Sequence, residues 1–137
     1  MVENNKSLND SVVEGTLPEG SVAALVYTTF PAKESAIAAA RVLVEARLAG
    51  CINILDAMTS VYVWNGVTEV VSEAVLIAKV PADAVLGCIA ALKRLHPYAT
   101  PAILVLPVAA ADAAYLNWLR AGTTLPENMP DSSNESG

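Results

Sequence analysis

The chain has 137 residues, enough for one domain, with 8 Lys+Arg against 14 Asp+Glu and a formal net charge of −6. It is 54% hydrophobic and 16% charged, where ordinary soluble domains are about 25% charged. This composition excludes a chain disordered throughout, a basic nucleic-acid footprint and, with two widely spaced cysteines, a disulfide scaffold or Cys-rich zinc module.

Residues 1–20 are polar and carry a net charge of −3. They show neither a basic n-region nor an apolar h-region, so they read as a flexible lead rather than a secretory signal. Val22–Thr29 (VAALVYTT) is an apolar, partly β-branched run and predicts a strand. Lys33–Leu48 places Ile37, Ala40, Val44 and Leu48 on one helical face, with Glu34, Arg41 and Glu45 opposite. Gly50 is expected to cap this helix.

Cys51–Leu55 begins a second strand, and Ser60–Trp64 (SVYVW) is β in pattern. Asn65-Gly66 then signals a hairpin, with a return strand through about Val67–Val80. Pro81 is expected to open a second helix, with Val85, Cys88, Ile89, Leu92 and Leu95 along its apolar stripe and Pro97 beyond its end. Pro101–Val108 predicts a last strand, with Pro107 suited to an edge. Ala110–Ala121 predicts a terminal helix. Residues 122–137 carry a net −3 and read as a disordered acidic tail, which leaves the body, 21–121, formally neutral.

The order β-α-β-β-α-β plus a helix is the split βαβ, ferredoxin-like pattern: an α+β fold with an antiparallel sheet and both crossover helices on one face. The hairpin sends Val61 and Val63 one way and Tyr62 and Trp64 the other, so both its faces are apolar. A neutral body with such a hairpin calls for a second layer, and a closed homo-oligomer supplies it. The terminal helix with Trp118 folding over the open face is the alternative cover. The longest uncharged apolar run, Pro101–Ala111, is well short of the roughly 20 residues that span a bilayer, so no membrane partner is expected.

The chemistry on offer is sparse. His96 is the one histidine and sits at a Pro-bounded corner, where an imidazole can bind metal or move protons. Cys51, at a strand start, can act as a soft-metal ligand, whereas Cys88 on the helix stripe reads as core. Glu73, flanked by apolar residues with Lys79 on the same strand face, is the better-placed carboxylate. There is no G-x-S-x-G, no Walker A loop and no G-x-G-x-x-G, so no enzyme is expected. Free thiols without a signal segment suit a cytoplasmic location.

Several segments together resemble one family. Arg47–Ile54 (RLAGCINI), Thr59–Gly66 (TSVYVWNG), Ser72-Glu73 with Val75–Lys79, Leu95-His96-Pro97-Tyr98 with Pro101, and Tyr115–Leu119 (YLNWL) are similar, in order, to motifs of the CutA family of divalent-cation tolerance proteins. The resemblance spans about Val22 to Arg120. It implies a homotrimer of ferredoxin-like subunits and a link to copper or another divalent ion.

The resemblance makes Cys51, His96 and Glu73 the candidate metal ligands. Lys79, Tyr98 and Trp64 become candidates for a small-ligand cleft, and Tyr62, Trp64 and Trp118 for oligomer packing. Two other roles stand beside this one. One is a PII-like signalling trimer that binds a small anion or nucleotide between subunits. The other is a scaffolding trimer that presents its acidic tails to a protein partner. The chain departs from the family pattern at Ala99 and Ala102, where carboxylates are usual, and at Val63, where a cation is usual. Fewer carboxylates near His96 would favour a soft ion.

Overall fold

A computed structural model describes residues 13–126. The elements are β1 (Ala23–Phe30), α1 (Lys33–Glu45), β2 (Cys51–Trp64), β3 (Val67–Pro81), α2 (Val85–Leu95), β4 (Ile103–Val108) and α3 (Ala113–Ala121), with a 3-10 turn at Ala82–Ala84. The four strands form one antiparallel sheet in the order β2-β3-β1-β4. This is the expected ferredoxin-like α+β topology, and β4 with its Pro107 lies at an edge.

One sheet face is sealed. Ala24, Val26, Thr28 and Phe30 of β1, and Ala74, Leu76, Ala78 and Val80 of β3, have no exposed surface. Against them lie Ala36, Ala39, Ala40 and Leu43 of α1, and Val85, Cys88, Ile89 and Leu92 of α2. The alternation buried-then-partly-exposed along β1 and β3 reflects the two-residue period of a strand.

Local chemistry shifts several expected boundaries. α1 ends at Glu45, not Leu48. The Leu48 N–H bonds back to the Leu43 carbonyl at 2.8 Å and the Arg47 N–H to the Val44 carbonyl at 3.0 Å. This is a Schellman closure, and Arg47 at φ 60° is its left-handed residue. Gly50 is therefore not the cap. It is small for another reason: a Cβ there would lie 2.7 Å from Leu119 Cδ1 and 3.1 Å from the Leu119 carbonyl oxygen.

The two expected β segments after it are one strand, β2, kinked where Asp56 and Ala57 together oppose Ala74. Ala57 is left-handed at φ 60°, and its N–H bonds to Asp56 Oδ1 at 2.8 Å. Pro81 closes β3 rather than opening α2, which starts after the 3-10 turn. The Asn65-Gly66 turn holds, with both residues at positive φ, 50° and 78°.

The flanks are also more structured than expected. Leu17 packs against the core, and Thr123 and Leu125 are buried. Leu17 of the lead and Thr123 and Leu125 of the tail thus make contact with the folded body. The remaining parts, 1–12 and 127–137, lie outside the described residues. Arg47 secures the C-terminal seam: its guanidinium donates to the Ala121 carbonyl at 2.6 Å, and its own carbonyl accepts the Thr124 N–H at 2.8 Å.

Because backbone as well as side-chain atoms crowd Gly50, Gly50→Ala should destabilise the chain by about 1–3 kcal/mol, the usual cost of overpacking. A urea titration reads this directly, and an unchanged midpoint would show that the seam yields without cost.

Candidate functional site

The second sheet face holds the candidate residues. Directly paired residues in an antiparallel sheet project to the same side, so the register assigns this face. It carries Leu25, Tyr27 and Thr29 of β1 opposite Lys79, Ile77 and Val75 of β3, with Cys51 opposite Lys79 on the other flank. Beyond the bulge, Met58 faces Glu73, Tyr62 faces Glu69 and Trp64 faces Val67. The extra residue in β2 switches its parity. Odd-numbered Cys51 and even-numbered Tyr62 and Trp64 thus reach the same face.

His96 is buried where the chain turns from α2 toward β4. The Tyr98 backbone N–H donates to His96 Nδ1 at 3.2 Å. A backbone N–H can only donate, so Nδ1 is the unprotonated nitrogen and the proton is on Nε2. That Nε2–H points to the Thr29 carbonyl at 2.7 Å, with Thr28 Oγ1 at 3.2 Å. The ring stacks on Phe30 with centroids 4.3 Å apart. Both nitrogens are thus engaged by the protein, and His96 offers a metal no lone pair in this arrangement. It is a fastening for the corner.

What the corner fastens is Tyr98. Its hydroxyl donates to Glu73 Oε2 at 3.0 Å, and Glu73 is only 8% exposed. Burial, helped by the neighbouring Glu73 carboxylate, pushes the Tyr98 phenol up to about 12. A second polar contact lies nearby, where the Tyr27 hydroxyl reaches Met58 Sδ at 3.7 Å.

The other candidates lie elsewhere along β3. Cys51 pairs with Lys79, six residues from Glu73, or about 20 Å at strand rise. Trp64 pairs with Val67, about 20 Å from Glu73 in the other direction. Lys79 holds its ammonium over the Tyr115 ring, 5.6 Å from the centroid.

One chain therefore brings His96, Tyr98 and Glu73 together, but not Cys51, and it does not gather Lys79, Tyr98 and Trp64 into one cleft. Among the described residues no group of three or more His, Cys, Asp or Glu side chains could hold a metal ion. A metal set drawn from a single chain does not fit these residues.

The packing candidates remain partly uncovered. Tyr62 is 37% and Trp118 56% exposed. α3 does reach the open face through Tyr115, which stacks on Trp118 at 5.7 Å, but it leaves Leu55, Leu104 and Leu106 exposed. The sequence reading missed the partners of His96. Of these, only the Thr28 hydroxyl, buried in a largely apolar strand, leaves a signal in the sequence.

Two measurements follow from this geometry. Tyr98→Phe leaves the buried Glu73 carboxylate without its phenol and should cost about 1–3 kcal/mol in a urea titration. The wild type should also show a phenol ionising near pH 12, absent from Tyr98→Phe. With the folded value above the 10.0 of an ordinary phenol, this stabilisation is whole below about pH 10 and is lost as pH rises to about 12. Cys88, fully buried, has its thiol pushed up to about 12 by desolvation. Alkylation of the native chain at pH 8 should therefore consume the half-buried Cys51 first. Equal rates at the two cysteines would contradict the burial.

Comparison with known proteins agrees with this fold. A family model described as CutA1 divalent ion tolerance protein matches residues 24–122. The divalent-cation tolerance protein CutA of Thermus thermophilus is 40% identical over 99 residues, which cover 72% of this chain and 96% of that protein. The protein of that name from Pectobacterium atrosepticum is 38% identical over 99 residues, covering 72% and 90%. A crystal structure of CutA1 from Ehrlichia chaffeensis superposes with a TM-score of 0.73 at 33% identity, covering 77% of this chain and 98% of that one. The chain belongs to the CutA1 divalent ion tolerance family.

Proposed function

We propose that this chain is a non-catalytic, cytoplasmic homotrimer that acts in divalent-cation tolerance and takes its cation where copies meet. The observation that carries this reading is the uncovered sheet face. Leu55, Leu104 and Leu106 are 58%, 60% and 45% exposed on it. Large apolar side chains left exposed on both edge strands of one face suit an interaction site. A neutral, apolar body surrounded by acidic flanks suits association with copies of itself.

The ligand chemistry supports a junction rather than a single-chain site. Cys51 supplies a soft thiol and Glu73 a hard carboxylate, about 20 Å apart on one face. Different copies can bring them together where one chain does not. His96 serves this arrangement by holding Tyr98 on Glu73. The free thiols Cys51 and Cys88 support a reducing compartment. An anion-binding trimer is the weaker reading, because its cation Lys79 is occupied with Tyr115. The scaffolding reading rests on residues 127–137, outside the described part of the chain.

Sedimentation equilibrium should give three times the 14.3 kDa chain mass. Calorimetric titration with Cu(I), Cu(II) and Zn(II) should show binding that weakens in a Cys51→Ala, Glu73→Gln double variant. A monomer mass, or equal binding by wild type and double variant for all three ions, would sink the proposal.

A further inference from the structure

We infer that Asn65-Gly66, the tip of the β2–β3 hairpin, is a self-modification site that deamidates to an aspartyl or isoaspartyl turn. The reaction is intramolecular. The Gly66 backbone nitrogen gives up its proton to solvent and attacks Asn65 Cγ. A new N–Cγ bond forms, and the side-chain nitrogen takes a proton and leaves as ammonia. The five-membered succinimide then adds water at one of its two carbonyls. One opening gives aspartate. The other gives isoaspartate, in which the main chain runs through Cγ.

The sequence singles out this position. Of eight asparagines, only Asn65 precedes a glycine, the residue with no Cβ to shield its backbone nitrogen. Both residues are exposed, and a Cβ built on Gly66 would meet nothing within 4 Å. Trp64 and Val67 form the last ladder pair, which leaves the Gly66 N–H outside the ladder.

The closed turn holds Asn65 left-handed at φ 50°, and ring closure requires rotation about its Cα–C bond. The tip must therefore open first, and the hairpin allows it. β1 pairs with β3 only over Ala74–Pro81, so residues 58–64 and 67–73 form a two-stranded ribbon beyond the rest of the sheet. Such a ribbon is marginally stable by itself. On the side where the helices lie, Val61, Val63 and Val70 are 64%, 66% and 66% exposed, so α1 and α2 do not cover it. That side is opposite the face of Cys51, Tyr62 and Trp64. An end with so few buried contacts opens at little cost. Conversion adds a carboxylate to a formally neutral body. Isoaspartate also adds a backbone methylene to the two-residue turn that fixes the strand register.

Prolonged incubation of the full chain at pH 7 and at pH 8, followed by peptide mass spectrometry, tests the site. Residue 65 should gain the mass difference between an amide and an acid, split between aspartate and isoaspartate, well ahead of the other seven asparagines. The rate should rise several-fold from pH 7 to pH 8, because the attacking nitrogen is the deprotonated one. Unfolding in guanidinium chloride should raise it further, since ring closure waits on the tip. Asn65→Gln, which would need a six-membered ring, should suppress conversion with an unchanged circular dichroism spectrum. Hydrogen exchange at the Val67 amide should be faster in the aged chain than in the fresh one. The inference is overturned if a free peptide of residues 60–71 converts while residue 65 of the chain stays intact. It is equally overturned if the other asparagines of the folded chain convert as fast, or if the rate is the same at both pH values. The reaction needs no metal and no particular oligomeric state, so its failure would leave the proposed function standing.

Discussion

The neutral imidazole of His96 is the contact on which the rest of the candidate site depends. It is an acceptor on one side and a donor on the other, and both bonds go to backbone groups far apart in sequence. Two such bonds contribute about 1 kcal/mol each, a modest sum. Their value is positional. They join the end of α2 to the end of β1, stack the ring on Phe30 and set Tyr98 in line with Glu73. A residue type that usually signals metal or proton transfer is here a rivet, and the carboxylate it indirectly holds lies nearly buried on the open sheet face.

That outward face owes its composition to the bulge at Asp56 and Ala57. Without the extra residue, β2 would keep one parity from Cys51 to Trp64, and Tyr62 and Trp64 would lie on the side opposite Cys51 and Lys79. With it, the thiol, the carboxylate and both aromatics share a surface about 40 Å long by strand rise. The bulge leaves Ala57 in a left-handed conformation, which is unfavourable for a residue with a Cβ. The hydrogen bond from its N–H to Asp56 helps hold it there.

Most of the fold was legible in the sequence. Strand and helix periods, the Asn65-Gly66 turn and Pro107 at an edge gave the order of elements, and the motifs around Cys51, Trp64, Glu73 and His96 gave the family. What stayed hidden depends on contacts between distant residues. Nothing local separates Arg47 from Gly50 as the left-handed residue: Arg47 is tied to Ala121 and Thr124, and Gly50 is kept small by Leu119, all more than 65 residues on. Nothing in Leu95-His96-Pro97 reveals that Nε2 meets the end of β1 while Nδ1 takes the Tyr98 N–H. Likewise, sequence similarity marks Cys51, Glu73, Tyr98 and Trp64 as a set, while strand rise spreads them along β3.

The seam between α1 and α3 bears on what counts as one folding unit. The family match stops at residue 122, yet Leu125 is part of the main hydrophobic cluster and the Thr124 N–H closes on the Arg47 carbonyl. At the other end Leu17 packs against that same cluster, before the match begins. The boundary of shared ancestry and the boundary of cooperative packing are therefore different lines on this chain. A fragment cut at the first would carry the family's motifs but leave an opening in its own core.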